Sequence, residues 1–433
     1  MKVKVFIIML ILFSSCSTKS QVIKPIISEV DVTDMNLYKP TPYRSDGAGY
    51  EGSDFKNLPK SRKKIFSHIS DKNDTDALNE LITNLNALGG GEITITKGDY
   101  KFKNVILKSN IHIIIESGTI IGFDETKKGK AFLFNVGSGD NAPLVENVKL
   151  IGLGNPDNRP KLVLHKFENT FWRAVMIGYV NNLLVQNFTI VDDLTKGAAI
   201  AFNPSKINDE TVNIANNVTI TNVKLTGGSI GYGLVQTNVG ENILLKNLSS
   251  EGGMTCRIEA HTGRHYDVGV ANIVIKNIVS KNGKAAVLLQ PHSVENGRIL
   301  VDGAKSIGST WTLFLKNGFV AKDSKRRLRG TFAPNSTFKN ISLISTDNTA
   351  TLSYKNYVFI PEELKSLYNP PNFNPVKNDA NNPSEELGKE SAIKGPSVAV
   401  IYIDAKYPLG LPEESEIVLE GKTENRLKIL DKR

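Results

Sequence analysis

The stretch Gly252–His261 reads GGMTCRIEAH, and five other segments can be laid over it: VMIGYV from Val175, GAAIAFNPS from Gly197, GYGLVQTN from Gly231, KAAVLLQPH from Lys284 and WTLFLK from Trp311. The overlay sets Asn203, Gln236, Glu259, Gln290 and Lys316 in one column and, two residues on, Asn238, His261 and His292 in a second. Because a strand alternates its faces, Met254, Cys256 and Ile258 are expected to point inward while Arg257, Glu259 and His261 point outward. If such segments stack as parallel neighbours about 4.8 Å apart, the polar residues form a row on the surface. A row of that kind suits the floor of a groove for a long polymer.

Between these segments runs a repeat. The pattern Asn, apolar, any, apolar, any, Asn, apolar occurs as NLLVQNF from Asn182, NVTITNV from Asn217, NILLKNL from Asn242 and NIVIKNI from Asn272, with looser copies at Asn147 and Asn340. The spacings from Asn147 to Asn272 are 35, 35, 25 and 30 residues, which lie in the range of solenoid repeats. Constant strands joined by connections of variable length predict coils of several short strands. The asparagines themselves read as structural, since Asn tolerates left-handed turns and can ladder with the Asn of the next coil.

Upstream, Ala77, Leu78, Leu81, Ile82 and Leu85 fall at helical spacing after the candidate N-caps Asn73 to Thr75. Gly89 to Gly91 stop that helix, and Ile93 and Ile95 then alternate like a strand. A helix here would cover the unpaired edge of a first coil. Downstream, 354–396 is rich in Asn, Pro, Glu and Lys and reads as an excursion, after which SVAVIYIDAKY from Ser397 and EIVLEGK from Glu416 look like returning strands. The fold class expected is all-β, a right-handed parallel β-helix with an N-terminal capping helix, occupying residues 59–433.

At the start of the chain, the apolar run Val5 to Phe13 follows Lys2 and Lys4 and leads to Ser14, Ser15 and Cys16. It is too short to span a membrane and has the layout of a secretory signal. Residues 1–20 therefore read as a bacterial lipoprotein signal with Cys16 as the lipidation site, and 21–58 as a tether. That places the protein on the outer membrane or cell surface, held through its lipid anchor, as a monomer. With Cys16 committed to lipid, Cys256 has no disulfide partner and is expected in the core. The formal charge is +9, and cleavage before Cys16 leaves 51 basic against 44 acidic residues, or +7. For an exported protein that balance points to an anionic glycan rather than nucleic acid.

The chemistry follows from the column. Inverting glycoside hydrolysis uses an acid and a base with carboxyl groups about 6.5–9.5 Å apart, and residues i and i+2 of one strand are about 6.5–7 Å apart on one face. Glu259 lies between the neutral amides Gln236 and Gln290, an environment expected to raise its pKa toward that of a general acid, with Arg257 working against this. His261, His265 and His292 cluster within 32 residues, but no HExxH or cysteine ligand set accompanies them, which argues against zinc. Serine-nucleophile, phosphate-loop and dinucleotide signatures are missing as well.

Gln236, the GGMTCRIE strand with Glu259, and AAVLLQPH with His292 resemble the motifs of iota-carrageenases, the parallel β-helix enzymes of glycoside hydrolase family 82. The resemblance covers roughly residues 71–311. It implies inverting endo-hydrolysis of β-1,4 linkages in a sulfated red-algal galactan, with Glu259 as proton donor and Gln236 and His292 as active-site residues. Arg257, Gln290, Lys316, Asn203 and Asn238 are then candidates to bind the sulfated polysaccharide, joined by the basic cluster Lys322 to Arg329. No cofactor is needed for this chemistry, and the resemblance leaves room for structural calcium, sodium or chloride. Where the family carries its base aspartate, this chain has His261. That departure leaves three readings open: an active variant with His261 as base, an enzyme for a related sulfated galactan, or a binder that does not cut. Asp267 is the next candidate for the base. A polysaccharide lyase on the same fold is the remaining rival.

Overall fold

A computed structural model describes residues 60–68, 73–124, 131–164, 172–193, 195, 197–352, 354–368 and 393–433. The expected signal at 1–20 with Cys16, the tether at 21–58 and the middle of the 354–396 excursion lie outside the described residues.

The strands stack in parallel, coil upon coil. One ladder runs from Lys63–Phe66 through Gly91–Ile95, Ile111–Ile115, Val145–Gly152 and Val180–Val191 into the long strands Asn216–Thr237 and Gly240–Glu259, then onward to Val418–Gly421. A separate wall runs through Ala131–Val136, Trp172–Ile177, Ile200–Phe202, the C-terminal ends of those two long strands, Ala285–Gln290, Trp311–Leu315, Ala399–Ile403 and Leu427–Asp431. The molecule is the parallel β-helix expected, and the two returning strands are in place.

Register produces the core. Ile93, Ile113, Leu150, Val185, Ile220, Leu245, Ile275 and Val301 stand level on successive coils, all buried. Burying each such side chain stabilises the fold by about 1.5–3 kcal/mol before chain entropy is counted. Cys256 is fully buried in this core, as expected. Met254 is not: it joins a second apolar cluster with Trp311, Phe314 and Tyr402 outside the wall. The strict alternation assumed for GGMTCRIE breaks at its start because Gly252 and Gly253, at φ +79° and +61°, form a corner just before Met254.

Both asparagines of the repeat turn the chain. Asn182, Asn217, Asn242 and Asn272 and their partners Asn187, Asn222, Asn247 and Asn277 all sit between φ +53° and +66°. Side-chain amides link coil to coil: Asn242 donates to Asn216 (2.8 Å), Asn272 to Asn242 (3.2 Å), and Asn247 to Asn222 (3.0 Å).

The capping helix, Asp74–Ala87, starts at Asn73, whose side chain accepts from the amides of Thr75 and Asp76. It buries Leu78, Ile82 and Leu85 on the first coil. Its polar side chains also close the coil's open edge: Asp74, Thr75 and Asn79 accept from the backbone amides of Lys101 (3.2 Å), Lys103 (2.9 Å) and Ile106 (2.8 Å). These donors would otherwise form an unpaired edge. At the other end, Ala350–Leu352 and Ile393–Gly395 pair antiparallel as the neck of the excursion. Ile360, Leu364 and Tyr368 from its described part pack on Trp311, Phe314 and Tyr402.

The corners generate a prediction. Asn242→Ala keeps an L-residue at φ +55° while removing both ladder bonds, and should cost about 2 kcal/mol in urea unfolding. Asn242→Gly, free of the steric strain, should cost less. Equal losses for the two would show that the backbone conformation carries no strain.

Candidate active site

The polar residues of the sequence column gather at the C-terminal edge of the wall, with Gln236 alone of the first column off the level the overlay assigns. Glu259 is level with Gln290, and Leu289 is level with Leu315, which puts Gln290 beside Lys316 as expected. Gln236, however, is level with Arg257, and Ala201 with Gln236. Asn203 and Asn238 are therefore neighbours, and Asn238 donates to Asn203 at 2.8 Å. The overlay misplaces only the Gln236 segment, by two residues, because the pairing jumps between Gly228 and Gly233; Asn203, level with Asn238 and through it with Glu259, keeps its expected level. Since side chains alternate with period two, the slip leaves every residue on its expected face.

Gln236 still reaches its partner diagonally. Its amide donates to Glu259 Oε1 at 2.6 Å, and Arg257 Nη2 donates to the same oxygen at 2.7 Å. Oε2 has no protein hydrogen bond among the described residues. The glutamate is only 4% exposed. Burial pushes its carboxyl up, but Arg257, then His292 and His261, outweigh burial and hold it below its ordinary 4.5. The raised pKa expected from the neutral amides is thus not found: the cation two residues away prevails over the amides.

His261 also departs from expectation. The strand ends at Glu259, and the amide of His261 turns back to the Glu259 carbonyl at 2.8 Å, so His261 does not continue the strand's outward face. Its ring meets that of His292 edge-on, centroids 5.5 Å apart, which keeps the two histidines together as the overlay suggests. His292 sits at φ +56° and is 3% exposed, with neither ring nitrogen bonded to protein among the described residues. Burial lowers both imidazoles, His292 to about 4. Both are neutral at physiological pH.

Two residues that the sequence reading passes over hold this edge together. Arg264 grips Asp323 through Nε and Nη2 (2.8 and 2.7 Å), and its Nη1 donates to the His261 carbonyl. This ties the basic 322–329 segment to the His261 turn and, through the guanidinium, drives the Asp323 carboxyl down to about 2. Phe319 and Gly330 both donate to the His292 carbonyl at 2.9 Å, and the Phe319 ring lies 4.7 Å from the imidazole. Asp404 forms an ion pair with Lys316, whose ammonium lies 4.0 Å from the Phe359 ring centroid. Arg264 sits in a GRH turn and Asp404 at the end of a returning strand, more than 50 residues from their partners, so no local pattern marks them. Asp267 stands past that turn at φ +56°. Among the described residues no group of three or more His, Cys, Asp or Glu side chains could hold a metal ion.

Comparison with known proteins places the chain beside one group. It is 28% identical to an iota-carrageenase of Zobellia galactanivorans over 329 residues, covering 72% of this chain and 64% of that protein. It is 33% identical to an iota-carrageenase of Alteromonas macleodii over 291 residues, covering 63% and 56%. The chain thus spans less than two thirds of the curated relatives it matches. A solved iota-carrageenase complexed to iota-carrageenan fragments superposes over 88% of this chain and 93% of its own, with a TM-score of 0.70 at 23% identity. The tailspike protein of E. coli bacteriophage HK620 follows the same fold at a TM-score of 0.50 and 12% identity, over 92% of this chain and 57% of its own. No protein-family model matches.

The electrostatics of Glu259 can be tested directly. Because its folded pKa lies below 4.5, the Arg257–Glu259 pair stabilises the fold above that pH and loses its contribution as pH falls through the lowered value. In Arg257→Met burial should win, moving the Glu259 carboxyl above 4.5 in a carbon-13 NMR titration. A Glu259 signal that still titrates below 4.5 would remove Arg257 as the cause.

Proposed function

We propose, on the premise of kinship with the iota-carrageenases, that this protein is a glycoside hydrolase of a sulfated galactan, cutting β-1,4 linkages of iota-carrageenan within the chain and with inversion. The observation that carries the reading is Glu259 on its GG…RxE strand, anchored through Oε1 by Gln236 and Arg257 with His292 close by. One oxygen is fixed, so the other is oriented to carry and deliver a proton to the glycosidic oxygen.

Paired with Arg257, that carboxyl is ionised at neutral pH, so substrate must arm it. A sulfate ester drawing on the Arg257 guanidinium weakens its hold on Glu259, and a sugar covering Oε2 excludes water; both raise the pKa. His261, neutral at the working pH, accepts the proton of the attacking water. Gln290, Lys316, Asn203 and Asn238 line the adjacent wall edge as contacts for the polymer, and the basic 322–329 segment adds positive potential beside His292.

Glu259→Gln should keep the fold and the glycan affinity while lowering turnover by roughly 10²- to 10⁴-fold, read as reducing ends released from a panel of carrageenans, agar, porphyran and pectin. Full turnover in this variant would place the acid elsewhere. Unsaturated, ultraviolet-absorbing products would replace hydrolysis by elimination.

A second reading, binding without cleavage, draws on the ionised Glu259 and on the histidine at the base position. The pH profile separates the two. With His261 as base, the acidic limb should fall below the ordinary imidazole value of 6.5, since burial lowers that group, and His261→Asp should move it down further. A profile unchanged by His261→Ala would exclude His261 and pass the role to another carboxylate such as Asp267.

A further inference from the structure

One cation beside this site is absent from the sequence column. Lys284 directly precedes the Ala285–Gln290 strand and is 8% exposed. Its ammonium lies 5.2 Å from the centroid of the Phe314 ring, and the ammonium of Lys316 lies 5.2 Å from the same ring. The two charges are therefore no farther apart than the sum of those distances. Arg257 has Glu259 as its counter-ion and Lys316 has Asp404. Lys284 has neither a carboxylate nor a hydrogen-bond acceptor among the described residues.

A buried ammonium without a partner is costly. Burial first, then Arg257 and Lys316, push Lys284 down to about 7, with Glu259 pulling the other way. Packing does not call for a lysine here, because a Met or Leu could fill space against Phe314 without that penalty. Three cations against two carboxylates leave the protonated Lys284 as the one positive charge without a match.

We propose that Lys284 is an anion-binding residue that receives one sulfate ester of the bound polymer, between the paired cations Arg257 and Lys316. The inference rests on the functional reading above and assigns a charge contact to a residue outside it. The groups acting on the ammonium are Arg257 and Glu259 from its own strand's neighbour and Lys316 from the next coil, with Tyr402 of the coil beyond packed against the shared Phe314 ring. Burial holds the Tyr402 hydroxyl neutral. An arriving sulfate favours the charged form of Lys284, so binding above pH 7 draws a proton from solvent.

The test uses the full chain carrying Glu259→Gln, so that substrate is bound and not cut. Titration calorimetry of an iota-carrageenan oligosaccharide at pH 8, in two buffers of different ionisation enthalpy, should show uptake of most of one proton. Adding Lys284→Met should abolish the uptake and weaken binding roughly tenfold or more. Lys284→Arg should retain binding and take up no proton, which separates charge from titration and covers the case in which the Met variant fails to fold. Uptake that persists in Lys284→Met would assign the proton to His261 or His292 and overturn the inference, as would an unchanged affinity. If the parent binds no sulfated galactan, the functional reading falls and this inference with it.

Discussion

Every coil must return the chain to a point one strand spacing above where it began, and the asparagine corners enforce this. An L-residue at positive φ costs about 1–2 kcal/mol, yet eight repeat asparagines adopt that conformation. The short Asn side chain tolerates it, and its amide bonds to the equivalent corner of the neighbouring coil or to the asparagine just before it. Laddered corners hold the coils in register, and register stacks aliphatic residues inside while lining up polar ones along one outer edge.

That edge concentrates charge where water is scarce. Glu259 sits among Arg257, His261 and His292, and Lys316 is neutralised by Asp404. The arrangement favours an ionised glutamate and neutral histidines, with positive charge left over near Phe314. Such a site suits an anionic polymer, and on the proposed function the charge on that polymer changes the protonation of the acid. On the proposed function, binding and catalysis would be coupled through one guanidinium, and a neutral galactan would leave Glu259 ionised.

The 317–331 segment shows how connections shape such a site. Backbone bonds to His292 and the Arg264–Asp323 fork fasten it beside the histidines. A basic run that reads in sequence as a polymer contact is in part a brace for the His261 turn: Asp323 serves Arg264, and Arg326 pairs with Glu295 at 2.5 Å.

The coils, the capping helix, the corner asparagines, the burial of Cys256 and the outward face of Glu259 were all legible in the sequence, because each depends on local periodicity or on one residue's backbone preference. The level of Gln236 was not: a two-residue slip preserves every inward and outward position, so hydrophobic pattern cannot detect it. Nor could the sequence show that His261 leaves the strand, that Glu259 is held ionised rather than neutral, or that Lys284 shares a ring with Lys316. The Gln236 level and the shared ring depend on residues tens of positions apart, whose distances only the stacked coils set, and the balance of burial against Arg257 at Glu259 is struck only once the coils have buried that carboxyl.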